Sequence, residues 1–190
     1  MVSPWRIIHI SIPHKTIYCY SNEEDNHMLN KAVRMYAQND LRLDTFELPE
    51  IKENEILVKI VSDSICMSSY KAAIQGSNHK RVPDNIAEHP AILGHEFCGV
   101  IEQVGAKWAD QFTAGEKFVI QPASSYHGTL MTPGYAFEFC GGDAQYAVLI
   151  PEIMEQDSLL DYKAKEFFYG SLSEPLSHTL QATCGTLRLQ

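Results

Sequence analysis

Six short apolar runs, separated by turn-forming residues, dominate residues 28–150 of the chain. They are rich in Val and Ile, and Gly, Pro, Asn or Asp residues lie between them, which is the pattern of short strands joined by tight turns. The sequence therefore predicts a mainly β domain of compact, barrel-like type over residues 28–150. The runs are KAVRMYA, LRLDTFEL, EILVKIVSDSIC, FCGVIEQVG, EKFVIQP and AQYAVLI.

The chain differs in character on both sides of this predicted barrel. Residues 1–27 have no sustained helical or strand period, and the internal Met28 follows them directly. We interpret residues 1–27 as an N-terminal extension outside the core that could be non-native. From residue 151 to residue 190, apolar residues recur at helical spacing, which predicts short helices and a C-terminal helical connector.

No dinucleotide-binding signature follows any of the predicted strands. The sequence contains no GxGxxG turn, and the tail beyond Glu174 is shorter than the roughly 30 residues of a βαβ unit. We therefore expect a Rossmann domain to be missing and the chain to be a truncated fragment.

Net charge and cysteine content narrow the class of partner. The formal net charge of -9 argues against nucleic acid or an anionic membrane, since both attract basic surfaces. No apolar run approaches the roughly 18 residues of a transmembrane helix. The 5 cysteines are an odd number without close pairs, which favours a reducing compartment. The sequence thus predicts a cytoplasmic protein with neither nucleic acid nor membrane as partner, which leaves small molecules and other proteins.

His95 and Glu96 lie side by side within the apolar stretch AILGHEFCGVIEQVG. Burying an unpaired polar group costs roughly 2 to 7 kcal/mol, so a partner must satisfy them. Cys66 lies where a predicted strand gives way to a helix, and a thiolate, an imidazole and a carboxylate form a ligand set that suits Zn²⁺. Because adjacent strand residues point to opposite faces, only one of the pair binds directly unless Gly94 lets the backbone turn.

Five motifs occur in a fixed order across residues 31–178. They are DSICMSS, GHEFCGVIEQVG, GEKFVIQP, GGDAQYAVLIPE and SLSEPLS. The second resembles the GHExxGxVxxVG signature of zinc-dependent medium-chain alcohol and polyol dehydrogenases, and the others are similar to further motifs of that family. The resemblance implies a GroES-like β-barrel that holds one catalytic zinc, followed in the family by a Rossmann domain that binds NAD(P).

The same resemblance implies roles for individual residues. Cys66 and His95 match zinc ligands, and Glu96 matches a glutamate that binds the metal directly or lies beside it. Glu174 matches the last ligand position or a carboxylate that holds the water on the metal. Ser68 matches the hydroxyl that relays the proton from the substrate alcohol.

The chain also departs from the family pattern. Ser69 stands where many members have an aspartate that supports the zinc histidine, and Lys71 stands where a relay histidine is expected. The stretch that would form a four-cysteine structural lobe holds only Cys140, so we predict one zinc at most.

A finer resemblance points to L-sorbose 1-phosphate reductase-like members, whose substrates are sugar or polyol phosphates. It rests on Ser69, Lys71, and the segments SNHKRVPD and MTPGYAFEF. Lys71, Lys80 and Arg81 could serve a phosphate or could be ordinary solvated charges.

The sequence therefore predicts the catalytic domain of a zinc-dependent oxidoreductase that transfers a hydride with NAD(P). We expect this chain alone not to bind the cofactor and to be inactive, whereas a full-length form could associate as a homo-oligomer. The alternative is a non-catalytic zinc-binding or interaction module.

Overall fold

The computed structural model describes residues 5–12, 15–22, 28–122 and 126–187, which contain ten strands and four α-helices. The strands are β1 (Trp5–Ile12), β2 (Lys15–Asn22), β3 (Leu29–Ala37), β4 (Asp40–Glu47), β5 (Ile56–Asp63), β6 (Ala91–Ile92), β7 (Phe97–Val104), β8 (Lys117–Ile120), β9 (Tyr146–Leu149) and β10 (Leu159–Asp161). The helices are α1 (Met67–Gln75), α2 (Pro151–Met154), α3 (Phe167–Ser171) and α4 (Ser173–Leu187). No helix in the described ranges is both long and apolar enough to cross a bilayer.

Two antiparallel sheets form the body of the domain. One has five strands in the order β10-β8-β7-β5-β9, and the other has three strands in the order β4-β3-β6. Backbone hydrogen bonds join the sheets, from Val33 N to the Asp143 carbonyl (2.8 Å) and from Gln145 N to the Lys31 carbonyl (3.0 Å). The six predicted apolar runs overlap β3, β4, β5, β7, β8 and β9, so the mainly β, barrel-like prediction is confirmed.

The main core lies against the five-stranded sheet. Phe97 and Phe118 are about 1% exposed and meet edge to face, with ring centroids 6.1 Å apart. Ile56 and Leu149 are fully buried around them. A side chain of this size contributes about 1.5 to 3 kcal/mol when it is fully buried, so this cluster stabilises the frame that positions β5 and β7.

Packing crosses the domain boundary that the sequence predicted at residue 150. Ile153, Met154 and Leu159 belong to the main core, and Leu159 begins strand β10, which pairs with β8. The predicted helical connector over residues 151–190 therefore contains a strand as well as three helices, a difference from the prediction. A strand of three residues is too short to show a period in the sequence.

Helix α3 lies directly on β7. A Cβ built on Gly170 would lie 2.8 Å from Cys98 Sγ, so a side chain at this position would collide with the strand. Ser171 Oγ and Ser62 Oγ are 2.8 Å apart, which ties the end of α3 to β5.

Residues 5–12 and 15–22 form an antiparallel hairpin, although the sequence analysis found no strand period there. The alternation of Ile8, Ile10 and Ile12 is the pattern that it missed. Among the described strands, β1 pairs with β2 alone.

Candidate metal centre

Cys66 lies between the end of β5 and the start of α1, as the sequence predicted. It is the N-cap residue of α1 in an extended conformation (φ -89°, ψ 146°), and its side chain makes no capping hydrogen bond. Its carbonyl accepts the Ser69 N–H at 3.1 Å, so the backbone fixes the turn while the half-buried thiol stays available.

His95 and Glu96 lie just before β7, not within it as the apolar pattern suggested. Gly94 has φ +84°, a conformation that turns the chain and that L side chains rarely adopt. Both side chains therefore reach the same point: ligand atoms of Cys66, His95 and Glu96 all lie within 4.8 Å of one another. Of the two arrangements that the sequence left open, the structure contains the one in which Gly94 turns the backbone.

The His95 ring is oriented by contacts at both nitrogens. Nδ1 lies 3.4 Å from Ser69 Oγ, and Nε2 lies 3.8 Å from Glu96 Oε1. Burial lowers the pKa of His95, Glu96 opposes this effect, and the positive charge of Arg81 adds to it. A neutral ring whose Nδ1–H donates to Ser69 presents the Nε2 lone pair toward Cys66 and Glu96, which is the form that binds a metal.

Glu96 is held from two sides by the residues that end β5. Ser64 donates a short hydrogen bond to Glu96 Oε2, and the Glu96 N–H donates to Asp63 Oδ1 at 3.1 Å. Burial, followed by the nearby Asp143, raises the pKa of Asp63 to about 7. The carboxylate of Glu96 thus lies in a buried region that already carries other acidic groups, where a cation would offset the charge.

Glu174, in the first turn of α4, reaches the same region but lies outside the three-residue cluster. Burial raises its pKa, and contact with the Glu96 carboxyl raises it further, while His178 has the opposite effect. His178 Nε2 lies 2.7 Å from Glu174 Oε1. The structure therefore brings the predicted Glu174 beside Glu96, with His178 as its partner.

The residues fit a zinc ion. A tetrahedral site with bonds of about 2.0 to 2.3 Å places its ligand atoms about 3.3 to 3.8 Å apart, so shifts of about 1 Å would bring the three donors into range. The donor set of sulfur, nitrogen and oxygen is one that zinc accepts, and a divalent ion would offset the adjacent carboxyls of Glu96 and Glu174.

Ser68, the predicted proton relay, lies at the centre of a small hydrogen-bond group. Its Oγ is 3.0 Å from Cys66 Sγ and 3.4 Å from His95 Nε2, and it accepts a hydrogen bond from the Tyr135 hydroxyl at 2.7 Å. The Tyr135 ring packs on His95 with centroids 4.9 Å apart and stacks on His79 at 5.6 Å. Sequence reasoning missed Tyr135, because a tyrosine in an irregular loop gives no periodic signal.

A cavity of about 240 Å³ opens beside these residues. It is lined by Ser68, Arg81, His95, Pro122, Thr132, Tyr135, Glu174 and His178. Polar groups from α1, three loops and α4 thus converge on one small volume, which is typical of a site for a small polar ligand.

Two cysteines outside the cluster, Cys98 and Cys140, are buried in the core. Cys98 is fully buried, and burial raises its pKa to about 11, while its thiol donates to the Phe167 carbonyl at 2.9 Å. Cys140 is also fully buried, and burial raises the pKa of its thiol strongly. Both are core residues.

The difference in burial between the half-buried thiol of Cys66 and the buried thiols of Cys98 and Cys140 predicts selective alkylation. With iodoacetamide at pH 8, we expect Cys66 to react in the folded, metal-free chain, whereas Cys98 stays unmodified because only about one thiol in a thousand ionises at a pKa three units above the solution pH. Excess zinc should protect Cys66. Peptide mass mapping of each cysteine measures this, and equal reaction of Cys66 and Cys98, or no protection by zinc, would contradict the assignment.

The fold and the site together match one known family. The family described as alcohol dehydrogenase GroES-like domain matches residues 52–154, which is more than half of the chain and includes Cys66, His95 and Glu96. The chain therefore belongs to the alcohol dehydrogenase GroES-like domain family, the zinc-dependent medium-chain dehydrogenase class that its motifs resemble.

Two similar curated proteins are named for reactions on sugar or polyol phosphates. L-sorbose 1-phosphate reductase from Klebsiella pneumoniae is 46% identical over 159 residues, which are 84% of this chain and 39% of that protein. Mannitol-1-phosphate 5-dehydrogenase from Aliivibrio fischeri is 46% identical over 146 residues, which are 77% of this chain and 34% of that protein. The chain thus spans well under half the length of these curated relatives.

A solved structure shows the same fold. The 2R,3R-butanediol dehydrogenase of Bacillus subtilis superposes with a TM-score of 0.62 at 24% identity, over 77% of this chain and 44% of that chain.

Proposed function

We propose that the chain is the zinc-holding catalytic part of an NAD(P)-dependent oxidoreductase that acts on an alcohol group of a polyol or sugar phosphate. The observation that carries the proposal is the convergence of Cys66, His95 and Glu96 beside a small polar cavity in a GroES-like domain. The names of the two relatives at 46% identity support the substrate class.

Cys66, His95 and Glu96 would hold the metal, and Glu174 would exchange with Glu96 or bind beside it. Zinc, when bound, supplies a Lewis acid that lowers the pKa of an alcohol. The remaining residues keep the donors in place: Ser69 orients the His95 ring, and Ser64 orients the Glu96 carboxylate.

Ser68 and Tyr135 would move the proton of the substrate alcohol. Ser68 Oγ would receive that proton while it passes its own to the Tyr135 oxygen, 2.7 Å away, after the hydrogen bond that Tyr135 donates to Ser68 has reversed. In the same concerted transfer, Tyr135 would release its hydroxyl proton to water in the cavity that both residues line. This path would do the work that the family pattern assigns to a histidine at the position of Lys71.

The hydride acceptor would come from another part of the protein. All strand pairs in the described ranges are antiparallel, so these ranges contain no βαβ dinucleotide-binding unit. We propose that NAD(P) binds to a cofactor domain outside the described residues, and that the described residues alone do not turn over substrate.

A chimera tests the proposal. The chain replaces the matched segment of the Aliivibrio mannitol-1-phosphate 5-dehydrogenase, and NAD(P)H formation from mannitol 1-phosphate is followed, with the unaltered enzyme as a positive control. We expect one zinc per chain and measurable turnover, and Ser68→Ala should lower kcat about 100-fold or more because the proton relay is lost.

Ser77→Ala is the matched control, because Ser77 is exposed and lies outside the cavity. It should leave kcat unchanged. A folded chimera that binds zinc without any turnover would contradict the oxidoreductase proposal.

The second candidate is a non-catalytic zinc-binding or interaction module. One observation favours it: α3 and α4 expose an apolar row at helical spacing, with each side chain about half exposed. The row consists of Phe168, Leu172, Leu176 and Leu180. Zinc binding without turnover in the chimera would support this candidate.

A further inference from the structure

Arg81 lines the cavity beside the candidate metal centre and has no carboxylate partner among the described residues. Its Nη1 donates to the Leu130 carbonyl at 3.1 Å, and its Cζ lies 6.0 Å from the centroid of the Tyr135 ring. A guanidinium has five N–H donors, so several remain for a ligand. In a chain with a net charge of -9, an arginine without an acidic partner next to a cavity calls for an anion.

Thr132 supplies a second polar group in the same cavity. Its side chain is 2% exposed, and its Oγ1 has no hydrogen-bond partner among the described residues. A buried hydroxyl without a partner is costly, so a ligand oxygen in the cavity would satisfy it.

The Glu174 carboxyl lines the cavity and is paired with His178, whereas the charges around His79 and Arg81 are positive and favour an anion there. Lys71, Lys80 and Arg81 all act on His79, which stacks on Tyr135 at the same cavity. Lys71 and Lys80 are exposed and do not line the cavity, so they contribute a positive field, whereas Arg81 can contact the ligand directly. A phosphate group also matches the planar fork of an arginine in two parallel hydrogen bonds.

We propose that Arg81, with Thr132 beside it, binds the phosphate of a phosphorylated polyol whose reacting hydroxyl lies at Cys66, His95 and Glu96. The proposal rests on the proposed function and adds the residues that select a phosphate ester over the free polyol. Arg81 is then a specificity-determining residue, and the two exposed lysines attract the anion without contacting it.

Binding measurements on the zinc-loaded chain test this assignment. NMR titrations with mannitol 1-phosphate, mannitol and inorganic phosphate give dissociation constants from the amide signals of Gly134 and Tyr135. We expect the phosphate ester to bind at least about tenfold more tightly than mannitol, because a charge-assisted bidentate contact is added. Arg81→Gln should lower the affinity for the phosphate ester to about that for mannitol, which removes this preference.

Lys80→Gln is the matched control, since it removes the same charge one residue away. It should lower phosphate ester affinity less than threefold, and Arg81→Lys should restore part of the preference. An equal loss for Lys80→Gln and Arg81→Gln, or an equal affinity of the wild type for ester and polyol, would overturn the proposal. Preference for inorganic phosphate over the ester would also overturn it, because the polyol would then make no contact at the metal end.

The outcome is separable from that of the proposed function. Zinc content and turnover of the chimera decide the oxidoreductase proposal. A chimera that turns over mannitol and mannitol 1-phosphate equally well would sustain that proposal and defeat the role of Arg81.

Discussion

Replacing Cys66 by alanine is expected to weaken zinc binding about 100- to 1000-fold. Structural zinc sites with four ligands bind with about 10 to 16 kcal/mol, so the loss of one ligand removes roughly 3 to 4 kcal/mol. The three candidate ligand atoms lie within 4.8 Å of one another, and neither Cys98 nor Cys140 belongs to this cluster. Competition with a chromophoric chelator measures the affinity, and plasma mass spectrometry measures the zinc content.

Cys98→Ala is the matched control for this substitution. It makes the same chemical change at a buried thiol outside the cluster, so it should lower stability slightly and leave zinc affinity unchanged. The zinc affinity of Ser69→Ala should fall between those of Cys66→Ala and Cys98→Ala. We expect it to be about 10- to 100-fold weaker than that of the wild type, because the oriented Nδ1–H of His95 loses its acceptor. Equal zinc affinity in Cys66→Ala and Cys98→Ala would remove the metal centre from this part of the fold.

Gly94→Ala is expected to lower the free energy of unfolding by about 4 kcal/mol and to disrupt zinc binding. A positive φ costs an L residue about 1 kcal/mol, and overpacking of a fixed site adds about 3 kcal/mol. At Gly94 a Cβ would lie 2.0 Å from Asp63 Oδ2 and 2.6 Å from Asp143 N, so the turn that aims His95 and Glu96 has no room for it. Denaturant unfolding with and without zinc measures both effects.

Gly115→Ala separates the cost of the positive φ from the cost of overpacking. Gly115 also has a positive φ, of +92°, but a Cβ there would meet nothing within 4 Å. It should therefore cost only about 1 kcal/mol and preserve zinc binding. If both variants lost the same stability, the close approach of Asp63 to Gly94 would not be a determinant of the fold.

The sequence predicted the parts of the fold that carry a strong local pattern. The runs that contain β5 and β7 are long, rich in Val and Ile and bounded by turns. Their local sequence pattern was therefore enough to predict these two strands. The strands β6 and β10 have two and three residues and depend on pairing with distant strands, which no local pattern reports.

The candidate site was predictable where a residue type signals its chemistry. Cys66 at a strand-to-helix turn and the adjacent His95 and Glu96 suggested metal ligands, and their ligation stays a prediction although the structure brings them together. The contacts of Tyr135 and Ser64 could not be predicted in this way. Both depend on loop geometry that is set by the packing of α1, α3 and the two sheets, and neither residue type alone indicates a role.

The hydrogen bond between Ser64 and the last residue of α3 limits how far the C-terminal end of this protein can be truncated without disturbing the candidate site. The Ser64 hydroxyl touches Glu96 and lies 3.0 Å from the Ser171 carbonyl, and Gly170 seats α3 on Cys98. A chain ending at residue 154, where the family match ends, would keep Cys66, His95 and Glu96. It would lose α3, which packs beside them. Water would then reach the Glu96 carboxylate, and the cavity would become shallow and open to solvent. Residues 155–174 thus help to enclose the candidate metal centre, although they lie outside the family match.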